Sequence, residues 1–159
     1  MPKVTGLGHV GIFANDLMKQ RDFYTRVIGL KVTDEDIDGL GIVFMSARPE
    51  EEHHEFVLMK GRDAPEDVKL VQQLSFTVDS IEDLKEFQRV FKEEGINVER
   101  IVSHGNAFGM YGFDPEGNRF EVYYKTGVDV PQPHGEAIDL AKSDEELMDI
   151  ARAAAVTGD

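Results

Sequence analysis

The chain repeats itself once, and the repeat limits the folds open to it. The segment Gly8-His9-Val10-Gly11-Ile12-Phe13 has a counterpart in Gln72-Gln73-Leu74-Ser75-Phe76-Thr77. Each precedes a helix start, Asn15-Asp16-Leu17 in the first copy and Ser80-Ile81-Glu82-Asp83-Leu84 in the second. Each helix runs to a glycine, Gly29 or Gly95. The spacings nearly agree: His9 to Gln73 is 64 positions, Asn15 to Ser80 is 65, Gly29 to Gly95 is 66, and Glu55 to Glu121 is 66. Two copies are too few to stack as a solenoid, so they predict two supersecondary units paired in one domain. The repeat also sets His9 against Gln73 and Glu55 against Glu121, as side chains around a shared centre would be.

Local pattern predicts what each unit contains. Residues 4–60 read as β-α-β-β-β: a strand over 7–13, a helix capped at Asn15 and stopped at Gly29, then strands over 30–33, 40–46 and 55–59, with a turn at Asp38-Gly39. Leu17, Phe23, Tyr24, Val27 and Ile28 fall on or near one helix face. Residues 61–69 are a polar linker. Residues 70–127 repeat the order, with a helix capped at Ser80 burying Leu84, Phe87, Val90 and Phe91, and strands over 96–102, 107–113 and 119–124. Asp114-Pro115-Glu116-Gly117 is a strong turn signal. The fold class is α+β: two tandem βαβββ units forming one U-shaped, barrel-like mixed sheet with helices outside. That domain spans 1–127, and 128–159 is a tail. Val130-Pro131-Gln132-Pro133 breaks regular structure, and a final helix starts at Ser143, with Leu147, Ile150 and Ala154 on one face to dock on this domain or on a second subunit.

Composition narrows the function classes. The formal charge of −14 argues against a nucleic-acid surface, which needs clustered cations. No apolar run approaches the roughly 20 residues of a membrane span. Residues 1–5 show no apolar signal core, so the expected location is the cytoplasm. The absence of cysteine fits that location and removes disulfides, thiolate ligands and cysteine nucleophiles. A homodimer is the default assembly.

Strand alternation decides which side chains can share a cavity. His9, Gly11 and Phe13 share one face of the first strand, and Gln73, Ser75 and Thr77 one face of its counterpart. The apolar faces belong under the helices, which turns His9 and Gln73 to the concave side. The same argument places Glu121 there. A carboxylate facing a cavity needs a partner or a cation. His9, Gln73 and Glu121 are therefore candidate ligands of a divalent metal, and an imidazole–oxygen set without sulfur suits Fe(II), Mn(II), Ni(II) or Zn(II).

With these residues placed, the chain resembles the vicinal oxygen chelate superfamily of glyoxalase I, single-domain type I extradiol dioxygenases and related binding proteins. The resemblance rests on Gly8-His9-Val10-Gly11-Ile12, Leu74-Ser75-Phe76-Thr77-Val78-Asp79-Ser80 and Phe113-Asp114-Pro115-Glu116-Gly117-Asn118-Arg119-Phe120-Glu121. The finer match is to the extradiol dioxygenases, whose iron is held by two histidines and a glutamate. His9 and Glu121 match two of these, and Gln73 stands where that family has histidine. The resemblance implies Fe(II), with His54 of Glu52-His53-His54-Glu55-Phe56-Val57-Leu58 as acid–base residue. It implies that His104 and Tyr111 bind or polarise substrate oxygens and that Asn106 orients the site.

The implied activity is ring-cleaving, dioxygenase-like oxidation of a catechol-type or other vicinal-oxygen small molecule. A glyoxalase- or isomerase-type enzyme remains open, with Glu55 as a fourth ligand beside His9, Gln73 and Glu121. So does a non-catalytic small-molecule binding protein. His54 and Glu55 are neighbours, so on a regular strand only one of them points inward.

Overall fold

The computed structural model describes residues 4, 6–65, 67–69 and 71–156. Residues 1–3 and 5, which fall in the segment read for a signal core, and the boundary residue Leu70 lie outside that set. The chain divides into two compact units, residues 1–68 and 69–159.

The first unit follows the order β1 (Val10–Ala14), α1 (Leu17–Asp22), β2 (Lys31–Asp36), β3 (Ile42–Ser46) and β4 (Phe56–Lys60). Its sheet runs β1-β4-β3-β2, with β1 parallel to β4 and the other pairs antiparallel. The helix cap is Asp16, one residue beyond the expected Asn15; its carboxylate accepts from Lys19 N–H at 3.0 Å. The helix then widens into a π-helical turn, Phe23–Val27, and stops at Gly29 with φ 91°. Widening turns Phe23, Tyr24 and Val27 into the core, where Tyr24 meets Phe56 at 4.5 Å between ring centres. Alternation holds along β3, which buries Val43 and Met45. β1 starts at Val10 rather than residue 7. Leu7 is 87% exposed, and the Val10 N–H to Glu55 carbonyl bond of 3.1 Å leads into the β1–β4 ladder.

The second unit contains β5 (Leu74–Val78), α2 (Ile81–Glu93), β6 (Val98–Ser103), β7 (Ala107–Phe113), β8 (Arg119–Lys125), β9 (Glu136–Ala137) and α3 (Asp144–Val156). Its sheet runs β5-β8-β7-β6-β9, with β5 parallel to β8. Ser80 caps α2 by accepting from Asp83 N–H at 3.0 Å. Ile81, Leu84 and Phe91 are buried, whereas Phe87 and Val90 are only half-buried. The turn after β7 closes on Asp114, whose carboxylate accepts from Glu116 N–H, Asn118 N–H and the Asn118 amide, each at 2.9 Å. The tail belongs to this unit. It adds β9 to the β6 edge, and α3 buries Leu147, Ala151 and Ala154, with Ile150 half-buried.

The ladders revise the internal symmetry. Gly11 pairs with Val57 and Ser75 with Glu121, and 11 + 64 is 75 just as 57 + 64 is 121. The counterpart of Glu121 is therefore Val57, not Glu55. Glu55 falls two positions earlier, in the bend before β4.

Candidate functional site

In the first unit His9 sits just ahead of β1 and His54 just ahead of β4, two neighbouring parallel strands. Their rings lie 4.4 Å apart between centres, and Phe44 flanks His54 at 5.0 Å. The Nδ1 atoms of His53 and His54 are 2.9 Å apart, a distance that needs one proton between them. Partial loss of water, then the neighbouring His9 and His53, hold His54 below the ordinary histidine range, against a smaller pull upward from Glu52.

Glu55 faces elsewhere. Its carboxylate accepts from Ser46 Oγ at 3.1 Å, Ala47 N–H at 3.0 Å and Arg48 Nε at 3.1 Å, tying down the end of β3. Partial burial works against its charge, but these bonds and the Arg48 guanidinium hold its carboxyl below the usual range. The bend takes both residues off the strand, so alternation no longer governs them. His54 packs on His9, and Glu55 serves a turn.

In the second unit Glu121 is 6% exposed and, among the described residues, has no ion-pair partner. Hydrogen bonds offset its desolvation. Oε2 accepts from Ser75 Oγ at 2.7 Å and from Gln73 Nε2 at 3.0 Å, and the Tyr111 hydroxyl is a further partner. Gln73 Nε2 also donates to Ser75 Oγ at 2.8 Å. The carboxylate can only accept when ionised, so it faces the nitrogen end of the Gln73 amide. Gly109 makes room for it: a Cβ there would lie 2.5 Å from Glu121 Oε1.

Tyr111 links Glu121 to His104, whose Nε2 is 2.9 Å from the hydroxyl. Burial first, then the bond to Glu121 and its negative charge, push the phenol up to about 12, against the charges of Arg100 and Arg119. Those guanidiniums lie 4.6 and 4.5 Å from the ring centre, within cation–π range. His104 Nδ1 faces the His134 carbonyl at 2.6 Å. A carbonyl only accepts, so Nδ1 carries a proton. With one proton on Nδ1, Nε2 is a base facing Tyr111. With two, His104 donates to Tyr111, which donates to Glu121.

Asn106 is outside this row. Its side chain is exposed, and its carbonyl accepts from Thr126 N–H at 3.0 Å. Ser75 and Gly109 escaped the sequence reading of the site, although Ser75 was on the Gln73 face by alternation. Arg100, Gln132 and His134 carry no local motif.

Among the described residues no three histidine, aspartate or glutamate side chains gather as a ligand cluster. A carboxylate and an imidazole are nevertheless donor types that a divalent cation takes. In the second unit Glu121 is a buried carboxylate without an ion pair among the described residues, and in the first unit His9 is an imidazole. As placed, Gln73 orients Glu121 through Nε2, and its oxygen makes no bond to that carboxylate.

Residues 6–122 match the family model described as Glyoxalase/Bleomycin resistance protein/Dioxygenase superfamily. No curated protein sequence matches significantly. Among solved structures, a possible glyoxalase from Bacillus cereus is 22% identical, over 75% of this chain and 98% of its own, with a TM-score of 0.60. The fosfomycin resistance protein FosX from Listeria monocytogenes is 19% identical, over 76% and 91%, with a TM-score of 0.61. Lactoylglutathione lyase from Agrobacterium tumefaciens is 21% identical, over 77% and 96%, with a TM-score of 0.59. At these identities the likeness is one of fold.

Proposed function

The chain belongs to the Glyoxalase/Bleomycin resistance protein/Dioxygenase superfamily, and from that premise we propose that it is a metal-dependent enzyme of the extradiol-dioxygenase type acting on a catechol-like small molecule. One observation carries the reading. Two of the three candidate ligands have a proton-carrying side chain directly beside them: His54 against His9, and Tyr111 against Glu121.

His9 and Glu121 would hold the metal, with Gln73 as third ligand or as the group that orients Glu121. Fe(II) is favoured over Mn(II), Ni(II) and Zn(II), and when bound it supplies Lewis acidity at two substrate oxygens and a site for dioxygen. His54, held below its ordinary range, is uncharged near neutral pH and takes a proton from a substrate hydroxyl. Tyr111 keeps its proton and acts as a hydrogen-bond donor, with His104 Nε2 2.9 Å behind its hydroxyl. Ser75 and Gln73 fix the Glu121 carboxylate. We extend the proposal to a cytoplasmic homodimer, to be checked as twice the 17.8 kDa chain mass by sedimentation.

The test is elemental analysis of protein purified without added metal, followed by oxygen uptake on simple catechols after anaerobic loading with Fe(II). Near one metal per chain is expected, lost in His9→Ala and Glu121→Ala. His54→Ala is expected to keep metal and lose turnover. Full occupancy in Glu121→Ala places the metal elsewhere. A second reading, a metal-free binding protein, is favoured by the donors already satisfying Glu121, and catechol binding without metal or turnover would select it.

A further inference from the structure

The family match ends at residue 122, yet the tail beyond it reaches back to the candidate site. After β8 the chain returns along β6, where Ser103 pairs with Glu136 and Val102 with Ala137. Between these points it grips His104 twice. Gln132 Nε2 donates to the His104 carbonyl at 2.8 Å, and His104 Nδ1 donates to the His134 carbonyl at 2.6 Å. Gln132 also ties the strap to itself, donating to the Val130 carbonyl at 3.2 Å and accepting from His134 N–H at 3.1 Å. The loop has been shaped for this approach. Gly105 has φ 73°, and a Cβ there would lie 2.5 Å from Val130. Thr126 Oγ1 donates to the Gly105 carbonyl at 2.6 Å, holding the loop from its other side.

We propose that the strap of residues 130–137 is part of the active centre, and that Gln132 is a positioning residue that fixes the tautomer of His104. A free imidazole exchanges its proton between two nitrogens. Here the His134 carbonyl holds it at Nδ1, which leaves Nε2 to face Tyr111 as the exchangeable position. The His134 ring plays no such part: its Nε2 is buried without a partner among the described residues. Gln132 sets the His134 carbonyl in place by bonding both His104 and His134. Its catalytic consequence rests on the proposed function; its effect on the tautomer does not.

The test reads the His104 ring nitrogens by long-range 15N–1H NMR in the full-length, metal-free protein. Wild type is expected to show a proton on Nδ1 that exchanges slowly with water. Tyr111→Phe is expected to keep it, because the strap rather than the phenol sets the tautomer. Gln132→Ala is expected to release it, giving a mixture with the Nε2–H form, and to lower catechol turnover about tenfold at little change in KM. An Nε2–H wild type, or a Gln132→Ala protein with an unchanged His104 spectrum, overturns the proposal. Should Gln132→Ala fail to fold, Gln132→Met, which keeps the side-chain volume and removes both bonds, decides it by the same signal. A wild type without turnover but with the expected tautomers sinks the enzyme reading and leaves the strap standing.

Discussion

Gly109 shows how tightly single residues bound this site. Any Cβ there meets Glu121 Oε1 at 2.5 Å and the Tyr111 ring at 3.1 Å. Gly109→Ala is therefore expected to cost about 1–3 kcal/mol of stability by overpacking, measured by urea denaturation, and to disturb the Tyr111 environment in near-ultraviolet spectra. Tyr111 itself makes a pH prediction for the chelator-treated protein. Burial raises its folded value from 10.0 to about 12. Below pH 10 both folded and unfolded chains hold the proton, and the contribution to stability is complete. Between about 10 and about 12 the unfolded chain ionises first and that contribution is lost, on the order of 2 kcal/mol. Tyr111→Phe is expected to flatten the alkaline limb, and a limb of unchanged slope refutes the assignment. His54 works in the opposite sense. Its folded value is depressed, so its contribution is present above the ordinary histidine range and lost as pH falls through the depressed value. In metal-free His9→Ala, NMR titration of His54 is expected to move upward, because one neighbouring like charge is gone.

At the scale of elements, caps and turns carry the local stability. Ser80 satisfies the Asp83 N–H at the start of α2, so Ser80→Ala is expected to cost about 1 kcal/mol in chemical unfolding with no change in metal content. These features were legible in advance because a cap or a turn depends on a handful of consecutive residues. Ser80, Asp114-Pro115-Glu116-Gly117 and the two helix-ending glycines could all be read from the chain. The strand starts could not. Residues 7–9 alternate plausibly, yet the β1–β4 ladder begins only at Val10, because β4 begins only at Phe56. Glu55 was misplaced for a related reason. Its repeat spacing of 66 differs from the ladder spacing by two positions, and a slip of two preserves alternation. Periodicity cannot detect such a slip, whereas a hydrogen-bond ladder does. Glu55→Ala is accordingly expected to loosen the Ser46–Arg48 turn while leaving metal content unchanged.

Across the whole molecule, the duplicated βαβββ order, the α+β class and the absence of cysteine chemistry were determined by the sequence alone. Hydrophobic period, turn residues and composition are properties of short windows, and those windows agree with one another throughout the chain. Alternation was also enough to put Gln73, just ahead of β5, and Ser75 on one face, and both reach Glu121. What the tertiary structure decided is which partner each polar group takes. It set His54 rather than Glu55 against His9, turned the Gln73 amide nitrogen toward a carboxylate 48 residues away, and brought the tail back onto His104 across 28 and 30 residues. No local propensity encodes these pairings. They follow from strand register and from the cost of leaving a buried donor or acceptor unpaired, and both exist only once the chain has closed on itself.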